Sequence, residues 1–221
     1  MSQSILELRA LGCERDGRHL FGGLDLQVQP GEIVQIEGPN GSGKTSLLRI
    51  LTTVSNAYQG ELLWRGQPLQ KSRLDYLNHL LYLGHLPGVK KALTPRENLE
   101  WFSGMNSGHN QLKIDQALDN VGLYGFEDVP CYSLSAGQHR RVALARLYLT
   151  PAQIWVLDEP FTAIDKDGVA ALERLLAEHA AGGGAVVLTT HQALAIESVR
   201  QVNLMDYQVE EPEDRPEGEW R

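Results

Sequence analysis

The stretch Gly38–Thr45, GPNGSGKT, constrains this chain more than any other. It fits G-x-x-x-x-G-K-[ST], a pattern whose mechanics require a strand before it and a helix after it. Ile33 to Ile36 is a mainly apolar run of strand length that reads as a buried strand, and Leu47, Leu48, Ile50 and Leu51 recur at helical spacing. Gly38, Gly41 and Gly43 let the backbone curl where a Cβ would obstruct, so successive N–H groups can face one anion. The start of the following helix adds about half a positive charge. In such a loop Lys44 reaches the β- and γ-phosphates and the Thr45 hydroxyl takes Mg²⁺, while Pro39, Asn40, Ser42 and Ser46 complete the cradle.

The rest of the chain reads as alternating strands and helices. Leu24, Leu26 and Val28 alternate with polar residues, as on a half-buried antiparallel strand, with Gly17 and the Gly22–Gly23 pair as turns. Glu61 to Trp64 and Leu80 to Leu83 read as short strands, and His85 to Lys91 as a loop. Thr94-Pro95-Arg96-Glu97 is a helix start with a capping box. Ile114, Ala117, Leu118 and Val121 follow helical spacing up to Gly122. The section from Leu93 to Leu134 therefore reads as a helical subdomain inserted in an α/β core.

Another helix opens near Ala136–Gly137. Ile154 to Leu157 and Ala185 to Leu188 are continuous apolar runs that suit strands buried on both faces. Val169, Leu172 and Leu176 mark the helix between them, stopped by Gly182 to Gly184. The expected fold class is α/β: a parallel or mixed sheet core with an N-terminal antiparallel β subdomain.

Composition narrows the partners. The net charge is −8, and from Asp206 onward seven acids face two arginines, so the end of the chain carries −5 of it. Residues 1–206 are expected to fold and 207–221 to form a disordered acidic tail. No basic stripe suggests nucleic acid. No apolar run approaches the roughly 18 residues of a membrane span, and the first residues lack a signal-peptide pattern. A membrane role would need a partner to supply the span. Cys13 and Cys131 stand far apart without C-x-x-C spacing, so neither a disulfide framework nor a zinc site is indicated.

A phosphate loop alone leaves kinases, GTPases and many ATPases open, although no N-K-x-D guanine motif occurs. Three further features bear on the choice. Asp158 and Glu159 end an apolar run, where one acid can hold Mg²⁺ and its neighbour can polarise the attacking water. Ser135, Gly137 and Gln138 lie at a helix start suited to an anion. His191 follows a buried strand, within reach of a γ-phosphate.

In this order the motifs resemble the ATP-binding-cassette (ABC) ATPase family from about Leu6 to Met205. GPNGSGKT matches Walker A, LSAGQ from Leu134 matches the signature LSGGQ, and IWVLDEP matches Walker B with the catalytic glutamate. Thr162 to Asp165 looks like the D-loop and His191 like the switch histidine. The resemblance implies two subunits head to tail, each ATP lying between one copy's Walker A and the other's signature. Lys44 and Ser135 of one chain would then touch different ATP molecules, and a homodimer in the ATP-bound state follows. Family spacing puts Arg15 where an aromatic residue usually stacks on adenine, and His85 where the Q-loop glutamine belongs.

GHLPGVKKALTPRENL, LSAGQHRRVALARLYLT and LDEPFTAID are similar to the CcmA-type ATPase subunits of bacterial cytochrome c maturation systems. That likeness implies integral membrane partners of the CcmB, CcmC and CcmD kind and a place at the cytoplasmic face of the inner membrane. ATP hydrolysis there would drive haem export or release of a haem-loaded chaperone. An ATPase of another ABC exporter, a soluble ABC protein and a non-catalytic nucleotide-binding module are the alternatives. No C-x-x-C-H haem-attachment motif is present.

Overall fold

A computed structural model describes residues 4–104 and 111–209. Two sheets lie at its centre. The first is antiparallel and four-stranded, in the order β2-β1-β4-β5, built from β1 (Leu6–Arg15), β2 (Arg18–Val28), β4 (Gln59–Trp64) and β5 (Gln67–Pro68). The second is parallel and five-stranded, in the order β6-β7-β8-β3-β9. Its strands are β3 (Ile33–Glu37), β6 (Leu80–Leu83), β7 (Ile154–Asp158), β8 (Ala185–Thr189) and β9 (Val199–Asn203). Six α-helices complete the described chain: α1 (Lys44–Leu51), α2 (Leu69–Asn78), α3 (Pro95–Gly104), α4 (Gln111–Asn120), α5 (Ala136–Ala145) and α6 (Lys166–Ala181).

Period-two burial explains the layering. Along β7, Ile154 and Val156 point into one core with α1 and the antiparallel sheet. Trp155 and Leu157 point into a second core, shared with α5 and α6. The neighbouring β8 divides the same way, Ala185 and Val187 against Val186 and Leu188. Burying each such aliphatic side chain contributes about 1.5–3 kcal/mol, so the parallel sheet is held from both faces. A third, smaller core joins Leu99, Ile114, Leu118 and Leu123 to Val142 of α5.

Helix α3 starts as its sequence predicts. Glu97 N–H donates to Thr94 Oγ1 at 3.1 Å, and Thr94 N–H donates to the Glu97 carboxylate at 2.8 Å. Both cysteines are free and buried, and burial pushes each thiol above its ordinary pKa.

The Gly22–Gly23 pair is not a turn. Both residues lie inside β2, opposite register shifts in β1, with Gly23 at φ 68° and Ala10 at φ 46°. The pair belongs to a bulged stretch that bends the hairpin, whereas the reversal itself is at Asp16–Gly17. Beyond β9, a short 3₁₀ turn (Leu204–Tyr207) leads the chain back over β2, where Val209 sits against Gly22. Of the expected acidic tail, residues 207–209 are thus placed, and the remainder lies outside the described residues.

Candidate active site

Four strands of the parallel sheet deliver their carboxyl ends to one edge: β3 leads into the phosphate loop, β8 into Thr190 and His191, β7 into Glu159, and β6 into Gly84 and His85. Open α/β sheets bind ligands at this end of their strands.

The loop itself needs its glycines. Gly38, Gly41 and Gly43 have φ of 143°, 86° and 101°. A methyl on Gly38 would lie 2.5 Å from Ser42 Oγ, and one on Gly43 would lie 3.0 Å from the Phe21 ring. The first helical hydrogen bond of α1 runs from Leu47 N–H to Gly43 O at 2.8 Å, leaving the N–H groups of Lys44, Thr45 and Ser46 without an intrahelical partner. Lys44 Nζ folds over the loop and donates to the carbonyls of Gly38 (2.6 Å) and Pro39 (3.1 Å). Ser42 Oγ is buried without a hydrogen-bond partner. Free donors, an ammonium and a curl without Cβ atoms fit a polyphosphate.

Facing the loop, Asp158 is buried and accepts from Thr189 Oγ1 at 2.7 Å. Glu159 is held in the left-handed region at φ 50°. Its N–H donates to Thr189 O and Oγ1, and its Oε1 lies 3.4 Å from His191 Nε2. A cleft of about 860 Å³ brings together Arg15, Asn40, Gly41, Gly43, Lys44, Thr45, Ser46, His85, Asp158, Glu159 and His191. Arg15 and His85 are exposed at its rim, Arg15 beside Asp16 at 3.3 Å. Arg49 also lines the cleft and was not among the expected residues, although it follows Thr45 at the i+4 spacing that puts two side chains on one helix face.

Ser135, Gly137 and Gln138 lie outside that cleft. They form the start of α5, where Ser135 and Gln138 make a capping box: Gln138 N–H donates to Ser135 Oγ (3.2 Å) and Ser135 N–H to Gln138 Oε1 (2.9 Å). Asp165 caps α6; the Gly168 N–H and then Arg141 hold its carboxyl below the usual range. Among the described residues no group of three or more His, Cys, Asp or Glu side chains is placed to hold a metal ion. No described helix is long and apolar enough to cross a membrane.

Residues 21–162 match the family model described as ABC transporter. The cytochrome c biogenesis ATP-binding export protein CcmA of Pseudomonas fluorescens (strain Pf0-1) is 54% identical over 195 residues, 88% of this chain and 92% of that protein. Its namesake from Salmonella typhi is 54% identical over 202 residues, covering 90% and 97%. The chain belongs to the CcmA family of ABC ATP-binding proteins. Among solved structures, a putative ABC transporter ATP-binding protein from Pyrococcus furiosus superposes with TM-score 0.80 at 28% identity, covering 92% of this chain and 99% of that one. A dimeric ATP-binding cassette bound to ADP and Pi gives TM-score 0.80 at 23% identity, which bears on the fold alone.

Membership of this ABC family makes the one departure in the signature interpretable. Ala136 is exposed at the first position of α5, where a methyl group meets no obstacle. Gly137 is different: a methyl there would lie 2.8 Å from the carbonyl of Ala163. The second glycine is therefore the one the packing of α5 against the 162–165 segment demands, and alanine at the first is free to improve the helix.

Proposed function

We propose that this ABC protein hydrolyses ATP to power the export step of cytochrome c maturation. What carries the reading is 54% identity, along 88–90% of the chain, to proteins named for that process. The glycine loop and α1 N-terminus would bind the phosphates, with Lys44 on the β- and γ-oxygens. Thr45 and Asp158 would hold a Mg²⁺ ion, whose charge neutralises the phosphate oxygens. Glu159 would take the proton from the water that attacks the γ-phosphorus as ADP leaves, and His191 would orient the γ-phosphate. Arg15 would stack its planar guanidinium on the base.

Ser135, Gly137 and Gln138 stand apart from the cleft and would serve the ATP of a second copy, making the working unit a head-to-tail homodimer. ATP then favours the closed pair because only that state makes both sets of contacts. Membrane subunits of the CcmB, CcmC and CcmD kind, at the cytoplasmic face of the inner membrane, would receive the motion. Purification of the tagged chain from solubilised membranes should bring down small integral membrane proteins together with ATPase activity. Recovery with ribosomes, or with no membrane protein, would overturn the assignment.

His85, at the position of the Q-loop glutamine and exposed at the cleft rim, would be the link to those subunits. His85→Ala should keep nucleotide affinity within about twofold while hydrolysis no longer supports cytochrome c maturation. Loss of nucleotide binding in that variant would place the imidazole in the nucleotide pocket instead.

A further inference from the structure

Arg140 lies on α5, two residues beyond the signature, and only 3% of it is exposed. All three guanidinium nitrogens donate to backbone carbonyls. Nε reaches Pro160 O at 3.3 Å, Nη2 reaches Asp158 O at 3.1 Å and also Glu159 O, and Nη1 reaches Gly84 O at 2.9 Å and His85 O at 3.5 Å. These carbonyls belong to the two segments that carry the proposed base and the proposed coupling residue. No carboxylate among the described residues forms an ion pair with Arg140. A desolvated cation held by carbonyls alone is a costly way to fill space. Burial pulls its pKa down, and the Asp158 and Glu159 charges pull it back up.

The same helix makes a second close contact with this region, Gly137 against Ala163 O, and both Glu159 (φ 50°) and Ala163 (φ 61°) hold left-handed backbone. Such conformations persist only where their surroundings over-determine them.

We infer that Arg140 is a positioning residue that keeps the Glu159 backbone and the Gly84–His85 turn in step with the signature helix. The inference rests on the composite-dimer reading above. In that dimer Ser135 grips the partner's ATP while Glu159 acts on its own, so Arg140 couples the two sites through one helix.

The test uses the full chain with its membrane partners, comparing Arg140→Met, which removes every donor, with Arg140→Lys, which restores the charge and a single donating nitrogen. Arg140→Met should bind a fluorescent ATP analogue within about twofold of wild type, yet lose at least about tenfold in kcat with little change in KM. Arg140→Lys should recover part of that loss. Unchanged kcat, or a loss of binding in parallel with kcat, overturns the inference. Hydrogen exchange supplies a readout that does not depend on Arg140→Met folding. In Glu159→Gln dimers with ATP, adding Ser135→Arg should raise amide exchange across residues 158–163 of the chain that carries it. Unaltered exchange there overturns the coupling while leaving the dimer intact. Failure of the Glu159→Gln protein to dimerise with ATP defeats the composite-site reading itself, and the coupling with it.

Discussion

Glu159→Gln is expected to stop turnover while leaving ATP bound. The Glu159 side chain is largely enclosed, its Oε1 is 3.4 Å from His191 Nε2, and its backbone is fixed by Thr189 and Arg140. A positioned general base typically contributes about 10²–10⁴ to rate, and the amide has the same shape without the basicity. A kcat lower by about 10³ follows, with nucleotide affinity retained, because the phosphate loop is untouched. If ATP holds the proposed closed pair, the variant should also accumulate as a dimer, visible by light scattering only when ATP is present. Turnover like that of the wild type would remove Glu159 as the base.

Lys44→Ala should have an effect of similar size on a different step. The ammonium now donates to Gly38 O and Pro39 O, and it is the cation seated in the loop. Phosphates entering the loop would replace those carbonyls as its partners. Removing such a preorganised cation costs about 10²–10³ where charge builds in a transition state, and it weakens ground-state binding as well. Thermal melts check this without an activity assay. At about 100 times Kd, ATP should stabilise the wild type by about 2.7 kcal/mol, and the same concentration should barely move the melting temperature of the variant. An equal shift in both proteins would show that Lys44 is not a phosphate ligand.

How far the chain could be read beforehand depended on burial. The strands β3, β7 and β8 are enclosed on both faces, so β7 and β8 are apolar up to their last residue and β3 is broken only by the buried Gln35 and the terminal Glu37. The phosphate loop was legible because its glycines answer a backbone demand that no other residue meets. Helix α2 left no such trace: it has no side-chain cap, is kinked at Ser72 and buries only Leu69 and Tyr76. Strand β9, Val-Arg-Gln-Val-Asn at the sheet edge, is half exposed and gives no apolar run. The glycine pair in β2 misled because turns and bulges ask for the same φ > 0 residue. Arg140 sat beside Arg141 in α5, with Arg146 just beyond, and nothing in its spacing set it apart. Its role lies in five carbonyls that only the folded chain gathers around it.

The two enclosed thiols have a practical consequence. An accessible thiolate attacks a maleimide or a bifunctional linker, and neither Cys13 nor Cys131 supplies one. The native chain is in effect cysteine-silent while folded, so single thiols introduced beside Gly41 and beside Ser135 would report on the proposed pairing of two copies without first rebuilding the interior.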